Sequence, residues 1–215
     1  MQISYLGLSS FRIKTNTATI VTDPYAFSTG LHFPKTIADI TIISQDKEEH
    51  NNKEGIKNPN CFFVEGPGEY EIKEVMIRGM RTFVDNSNES LREKNTIYTI
   101  TAEDLVVCHL GDLNSELSDK LLKEMENVDV LMIPVGGLHT LNPEKAVQVI
   151  KKIDSRIVIP MHYSQPGLSD KYKGLATLEQ FLQEFELEPK RTDKLVLSST
   201  SLPDEMELMV LDRKK

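Results

Sequence analysis

Short β-branched runs that stop dead at charged or imidazole-bearing loops are the feature that most limits how this chain can fold. The sharpest is Ile40-Thr41-Ile42-Ile43, which gives way within two residues to Gln45, Asp46, Lys47, Glu48, Glu49 and His50. A run that short and β-branched reads as a buried strand, which makes Ser44 onward the loop at its carboxyl end. In α/β sheets that is where ligands bind. The polar residues there could hold a metal, ionise a substrate or form a plain solvated loop.

The same grammar runs along the chain. Ile3 to Leu6, Ser10 to Ile13 and Ala18 to Thr22 read as an antiparallel meander ended by Asp23-Pro24. Tyr25 to Thr36 is a long crossing loop. Cys61 to Val64 is a further strand, and Glu65-Gly66-Pro67-Gly68-Glu69-Tyr70-Glu71 reads as a tight turn beside its carboxylates. Val75 to Phe83 and Thr96 to Thr101 form a strand pair joined by a polar hairpin tip, Asp85 to Lys94. Leu105 to Cys108 then runs into His109-Leu110-Gly111-Asp112.

Beyond Asp112 strand and helix alternate. Ser115 to Met125 puts Leu117, Leu121, Leu122 and Met125 on one face, and Asn142-Pro143 starts a helix that turns Ala146, Val147, Ile150 and Ile153 inward. Thr177 and Gln180 stand at capping-box spacing before Phe181, Leu182 and Phe185. Asp129 to Ile133, Arg156 to Pro160, Lys194 to Ser198 and Met206 to Leu211 read as strands. The pattern predicts two packed sheets with helices outside, in one domain spanning 1–215.

Charge and cysteine usage narrow the partners. A net charge of -8 and a pI near 5.2 leave no basic footprint for nucleic acid or an anionic membrane. No apolar run approaches the roughly 20 residues of a membrane span. Cys61 and Cys108, the only cysteines, both lie in apolar runs and suit buried thiols in a reducing cytoplasm. A small-molecule ligand is the partner expected, and the oligomeric state is not encoded in any motif.

Four of the five histidines follow the end of an apolar strand: His50, His109, His139 and His162. A single such histidine is more often structural than functional, but four delivered from strand ends with Glu49 and Asp112 in the same loops form a metal-capable set.

The order of these blocks resembles a known family. Ile3-Ser4-Tyr5-Leu6-Gly7 with Ser9-Ser10-Phe11, then Thr22-Asp23-Pro24, Gly66-Pro67-Gly68-Glu69-Tyr70-Glu71, His109-Leu110-Gly111-Asp112, Pro134-Val135-Gly136-Gly137 and Pro160-Met161-His162-Tyr163 follow one another as in the metallo-β-lactamase superfamily. Within it, the chain is similar to small bacterial and archaeal metal-dependent hydrolase-like proteins related to ascorbate-6-phosphate lactonase. The resemblance covers Met1 to about Tyr163. It implies an α/β four-layer αββα sandwich with the active site along the edge where the two sheets meet.

It also exposes departures. Where the family carries His-x-His-x-Asp-His, this chain reads Gln45, Lys47, Glu49 and His50, and Leu8 replaces an early histidine. A protonated lysine has no lone pair and repels a cation, so the first metal position is expected to be lost. The second, by resemblance, would use Glu49, His50, Asp112 and His162, for one Zn or Mn ion or none. Lys47 is then a candidate to supply the missing positive charge.

Two functional readings follow. The first is a hydrolase-like protein that has lost the two-metal centre and binds a ligand or partner without catalysis. The alternative is a mononuclear hydrolase of a small ester, lactone or phosphoester, with Asp112 at the reacting centre and His109 or His139 handling protons.

Overall fold

The computed structural model describes residues 1–84, 93–125 and 127–214. The chain runs β1 (Gln2–Gly7), β2 (Ser10–Lys14), β3 (Thr19–Thr22), β4 (Ile40–Ile42), β5 (Phe62–Val64), β6 (Gly68–Ile72), β7 (Val75–Val84), β8 (Glu93–Ala102) and β9 (Leu105–His109). It continues α1 (Asp119–Glu124), β10 (Val130–Pro134), α2 (Pro143–Ile153), β11 (Ile157–Met161), α3 (Leu178–Glu184), β12 (Lys190–Thr192), β13 (Leu195–Val196) and β14 (Glu207–Leu211).

Two mixed sheets result, with the architecture of the expected αββα sandwich. The six-stranded sheet has the order β13-β1-β2-β3-β4-β5, and the eight-stranded sheet the order β12-β14-β11-β10-β9-β8-β7-β6. The amino-terminal meander is antiparallel, and β4 and β5 then join it in parallel. In the second sheet β6 to β9 are antiparallel and β9, β10, β11 and β14 are parallel. β10 and β11 are buried at every position, as strands covered on both faces must be.

The β-branched residues of both inner faces form one core, including Ile3, Ile13, Ile20, Ile40, Ile77, Ile97 and Val107. Tyr98 of β8 ties the sheets together beside the functional edge. Its hydroxyl donates to the Ile43 carbonyl at 2.8 Å and accepts from the Gly66 amide at 2.8 Å.

Several elements differ from the sequence reading. Gly68–Ile72 is a strand antiparallel to β7 and only the Gly66-Pro67 step before it turns; the period-two alternation of Glu69, Tyr70, Glu71 and Ile72 outweighs the flanking glycines. The first helix is shorter than expected because Ser118 caps it, its side chain accepting from the Leu121 amide. β12, a three-residue strand at the sheet edge, has no signal in its sequence Lys-Arg-Thr. All three α-helices follow Asp112, and before it the described residues contain only 3-10 turns at Phe27–Thr29 and Lys53–Gly55. That stretch carries no 3.6-residue apolar period that could bury a helix face. Cys61 is only partly buried, whereas Cys108 is fully so, and both are free thiols. The polar tip expected at Asp85 to Lys94 lies largely outside the described residues. Among the described residues, no helix is long and apolar enough to cross a membrane.

Candidate metal centre

Four strand ends converge at one edge of the sandwich. Asp23 follows β3, His50 lies in the loop after β4, Asp112 in the loop after β9, and His162 directly after β11. Because β3 and β4 are parallel and in register, Asp23 sits beside Ser44 and accepts from its amide at 2.7 Å and its hydroxyl at 2.6 Å.

Asp23 in turn holds His50. One Asp23 oxygen lies 3.0 Å from His50 Nδ1, and His50 Nε2 lies 2.9 Å from an oxygen of Asp112. The other Asp112 oxygen is 3.7 Å from His162 Nε2. Donor atoms of His50, Asp112 and His162 all lie within 4.8 Å of one another. The His50 and His162 rings are parallel, 3° apart, with centroids separated by 6.3 Å. All three residues are buried.

Close backbone packing makes this convergence feasible. His162 adopts φ 54°, a left-handed conformation unusual for a residue with a side chain, and its amide donates to the Leu8 carbonyl at 2.9 Å. A Cβ at Gly136 would lie 2.1 Å from the His162 carbonyl oxygen, so only glycine fits there. Gly111, at φ +57°, allows the Asp112 loop to pass Ser44 and Asn95 in the same way. Asn95 locks that loop: its Oδ1 accepts from the Asp112 amide at 3.0 Å and its Nδ2 donates to Leu110 at 3.0 Å and Thr82 at 2.9 Å.

The electrostatics follow from burial and pairing. Burial alone disfavours a charged His50, but Asp112 and Asp23 on either side outweigh it and push its pKa well above the usual histidine range. Asp112 also meets a burial penalty, which the facing His50 and His162 overcome, leaving its carboxyl well below the usual range. His162 is pushed down, mainly by burial, and is held neutral.

The other residues singled out from sequence fall in different places. Glu49 sends its carboxylate to Lys171, 3.6 Å away, and is not one of the three converging donors. Lys47 pairs with Glu93 and helps to lower the Asp112 pKa only as a lesser, more distant charge; the cation in contact with both Asp23 and Asp112 is His50. His109 is fully buried; its Nε2 donates to the Ser9 carbonyl at 2.8 Å and its Nδ1 accepts from the Gly111 amide at 3.2 Å. Both nitrogens are thus engaged in holding loops. His139 is exposed in the turn after β10.

Two residues at the site had no separate signal in sequence. Asp23 lay within a family block yet gave no sign that it orients a histidine 27 positions on, and Asp-Pro is a common turn pair. Tyr172 is the other: its hydroxyl is buried without a partner, and burial, with the charges of Glu49 and Asp112, raises its pKa.

The donor set suits one ion. Two imidazoles and a carboxylate form a usual three-ligand zinc set with a fourth position free. Ligands about 2.0–2.2 Å from a tetrahedral ion stand roughly 3.3–3.5 Å apart; the three donor atoms lie within 4.8 Å of one another, so small side-chain adjustments would bring them to that spacing. One Asp112 oxygen is buried with no hydrogen-bond partner. Asp23 supplies the outer carboxylate that metal-binding histidines commonly carry on the far nitrogen. Among the described residues no other group of three such donors gathers, and Gln45 and Lys47 offer a neutral amide and an engaged ammonium.

Residues 2–162 match the family model described as a beta-lactamase superfamily domain. A proposed Zn-dependent hydrolase of the metallo-β-lactamase superfamily from Thermotoga maritima has 30% sequence identity, with a TM-score of 0.83 and 99% of both chains covered. The chain belongs to the metallo-β-lactamase superfamily. Among curated relatives, a UPF0173 metal-dependent hydrolase of Bacillus mycoides is 28% identical over 195 residues, 76% of this chain and 86% of that protein. A metallo hydrolase of Ignicoccus hospitalis shares the superfamily fold at 18% identity, with a TM-score of 0.63 and 100% of this chain and 96% of the other covered.

Proposed function

We propose that this chain is a superfamily member that has given up the two-metal centre and kept one metal position, at His50, Asp112 and His162, as a mononuclear hydrolase of a small ester, lactone or phosphoester. The observation that carries the reading is the buried convergence of those three donors with an unpartnered Asp112 oxygen and Asp23 behind His50. The hydrolase names of relatives at 26–30% identity support it.

In this reading Asp23 keeps the His50 proton on Nδ1, so that Nε2 presents a lone pair. Burial keeps His162 neutral, and the facing His50 and His162 keep Asp112 ionised against its own burial, the forms in which each can ligate. A bound zinc or manganese ion would lower the pKa of a coordinated water towards 7 and polarise a carbonyl or phosphoryl oxygen. The Tyr172 hydroxyl, buried without a partner and within the electrostatic reach of Asp112, is a candidate donor to a developing oxyanion. His109, with both nitrogens occupied, keeps the Ser9 and Gly111 loops in place and moves no proton.

A second reading, a non-catalytic ligand-binding protein, draws on a different observation. With His50 charged between Asp23 and Asp112, the cluster already balances much of its own charge, as a decayed metal site would. Elemental analysis combined with zinc and manganese titration separates the two. Stoichiometric metal with turnover of a model ester or phosphoester supports the hydrolase; no binding at micromolar free ion supports the ligand-binding protein.

A further inference from the structure

Ser44, which bonds Asp23 behind the metal group, also lines a pocket of about 140 Å³, together with Gln45, Gly66, Arg81, Lys94 and Thr96 among others. Gln45 is 4% exposed, and both its amide oxygen and its amide nitrogen are buried without a hydrogen-bond partner. An amide left so is costly, on the order of 1–3 kcal/mol for each unpaired group. Something polar belongs against it.

The charges around the pocket say which polar group. Arg81 pairs with Thr96 and Lys94 with Phe83 across the β7–β8 ladder, which puts both cations on one face, two residues apart. Among the described residues neither has a carboxylate within ion-pair distance. The two acids lining the same pocket are already engaged: Glu65 with Lys53 at 2.6 Å, and Asp46 as acceptor from Asn51 at 2.7 Å. Lys53 cancels Glu65, but Asn51 is neutral and leaves the Asp46 charge in place, so the net demand is for one negative charge with several acceptor atoms. At about 30 Å³ per water molecule, the volume holds a few waters or one small tetrahedral ion.

We propose that the pocket formed by Gln45, Arg81 and Lys94 binds a small oxyanion of the phosphate type, free or carried by a small molecule. The Arg81 guanidinium offers a fork of donors, Lys94 a point charge, and Gln45 its amide hydrogens from the buried wall. Ser44 lines the pocket and bonds Asp23, so an anion held there lies next to the metal group without using its ligands. The site therefore does not depend on the hydrolase reading.

Calorimetric titration of the full-length chain with inorganic phosphate at low salt, with and without chelator, tests this. Expected are saturable binding in the micromolar to millimolar range and a loss of about tenfold or more in Arg81→Ala and in Lys94→Ala. Gln45→Leu also weakens binding, sulfate competes and acetate does so poorly. Metal content stays at the wild-type level in both cation variants, which separates failure here from failure of the metal reading. The proposal is overturned by no saturable heat up to roughly 10 mM phosphate, by binding that the three variants leave intact, or by binding that chelator abolishes. The last would put the anion on a metal instead. Both cations are exposed, so their variants should fold as the parent does, with circular dichroism as the check.

Discussion

The Asp23 carboxylate stands 3.0 Å from Nδ1 of His50, joining the ends of two neighbouring parallel strands and fixing which face of the imidazole looks into the site. Everything proposed for the metal position depends on that pair, because a histidine that turns its other edge inward cannot ligate in the same place.

Asp23→Asn is therefore expected to weaken zinc affinity by about 10–100-fold, as loss of an outer-sphere carboxylate usually does. A competition titration against a chromogenic chelator measures it. Affinity equal to wild type would show that Asp23 merely braces Ser44.

Lys47→Ala should be nearly silent. The Lys47–Glu93 pair is partly exposed, and pairs of that kind contribute about 0–1 kcal/mol. Urea unfolding and metal content should both stay close to wild type. A marked loss of stability, or new uptake of a second ion, would restore the idea that this ammonium stands in for a metal.

Protonation of His50 gives the metal-free protein a distinctive pH dependence. Its folded pKa is raised above the unfolded value of about 6.5. The stabilisation is thus complete below about pH 6.5 and is lost as pH rises through the folded pKa. In chelator, the melting temperature should fall from neutral to alkaline pH. Zinc binding displaces the Nε2 proton, so zinc affinity should rise over the same range. Metal-free stability that increases from neutral to alkaline pH would contradict the doubly paired imidazolium.

Tyr98→Phe tests the tie between the sheets. Removing the hydroxyl leaves the buried Ile43 carbonyl without this donor and the half-buried Gly66 amide without this acceptor, at a cost of about 1–3 kcal/mol. Chemical denaturation reads the loss. A change near zero would mean that both groups find other partners.

What the sequence disclosed, and what it hid, divides along physical lines. Strands announced by β-branched runs and helices announced by caps, such as Asn142 and Thr177, were legible because those signals are local. The strand ends at His50, Asp112 and His162 were legible for the same reason. The pairing of Asp23 with His50, the hold of Asn95 on the Asp112 amide and the influence of Glu49 and Asp112 on Tyr172 were not, since each joins segments far apart in the chain. Glu49 shows the converse: its position in the motif suggested a ligand, but Lys171, 122 residues later, offers it a partner at 3.6 Å.

Counting metal ions per chain by mass spectrometry, in the wild type and in Asp112→Asn, tests the central claim most directly. The expected result is one zinc or manganese ion in the wild type after equilibration with micromolar metal, and a loss to well below stoichiometric in the variant. Two ions per chain, or one ion that survives Asp112→Asn, would contradict it.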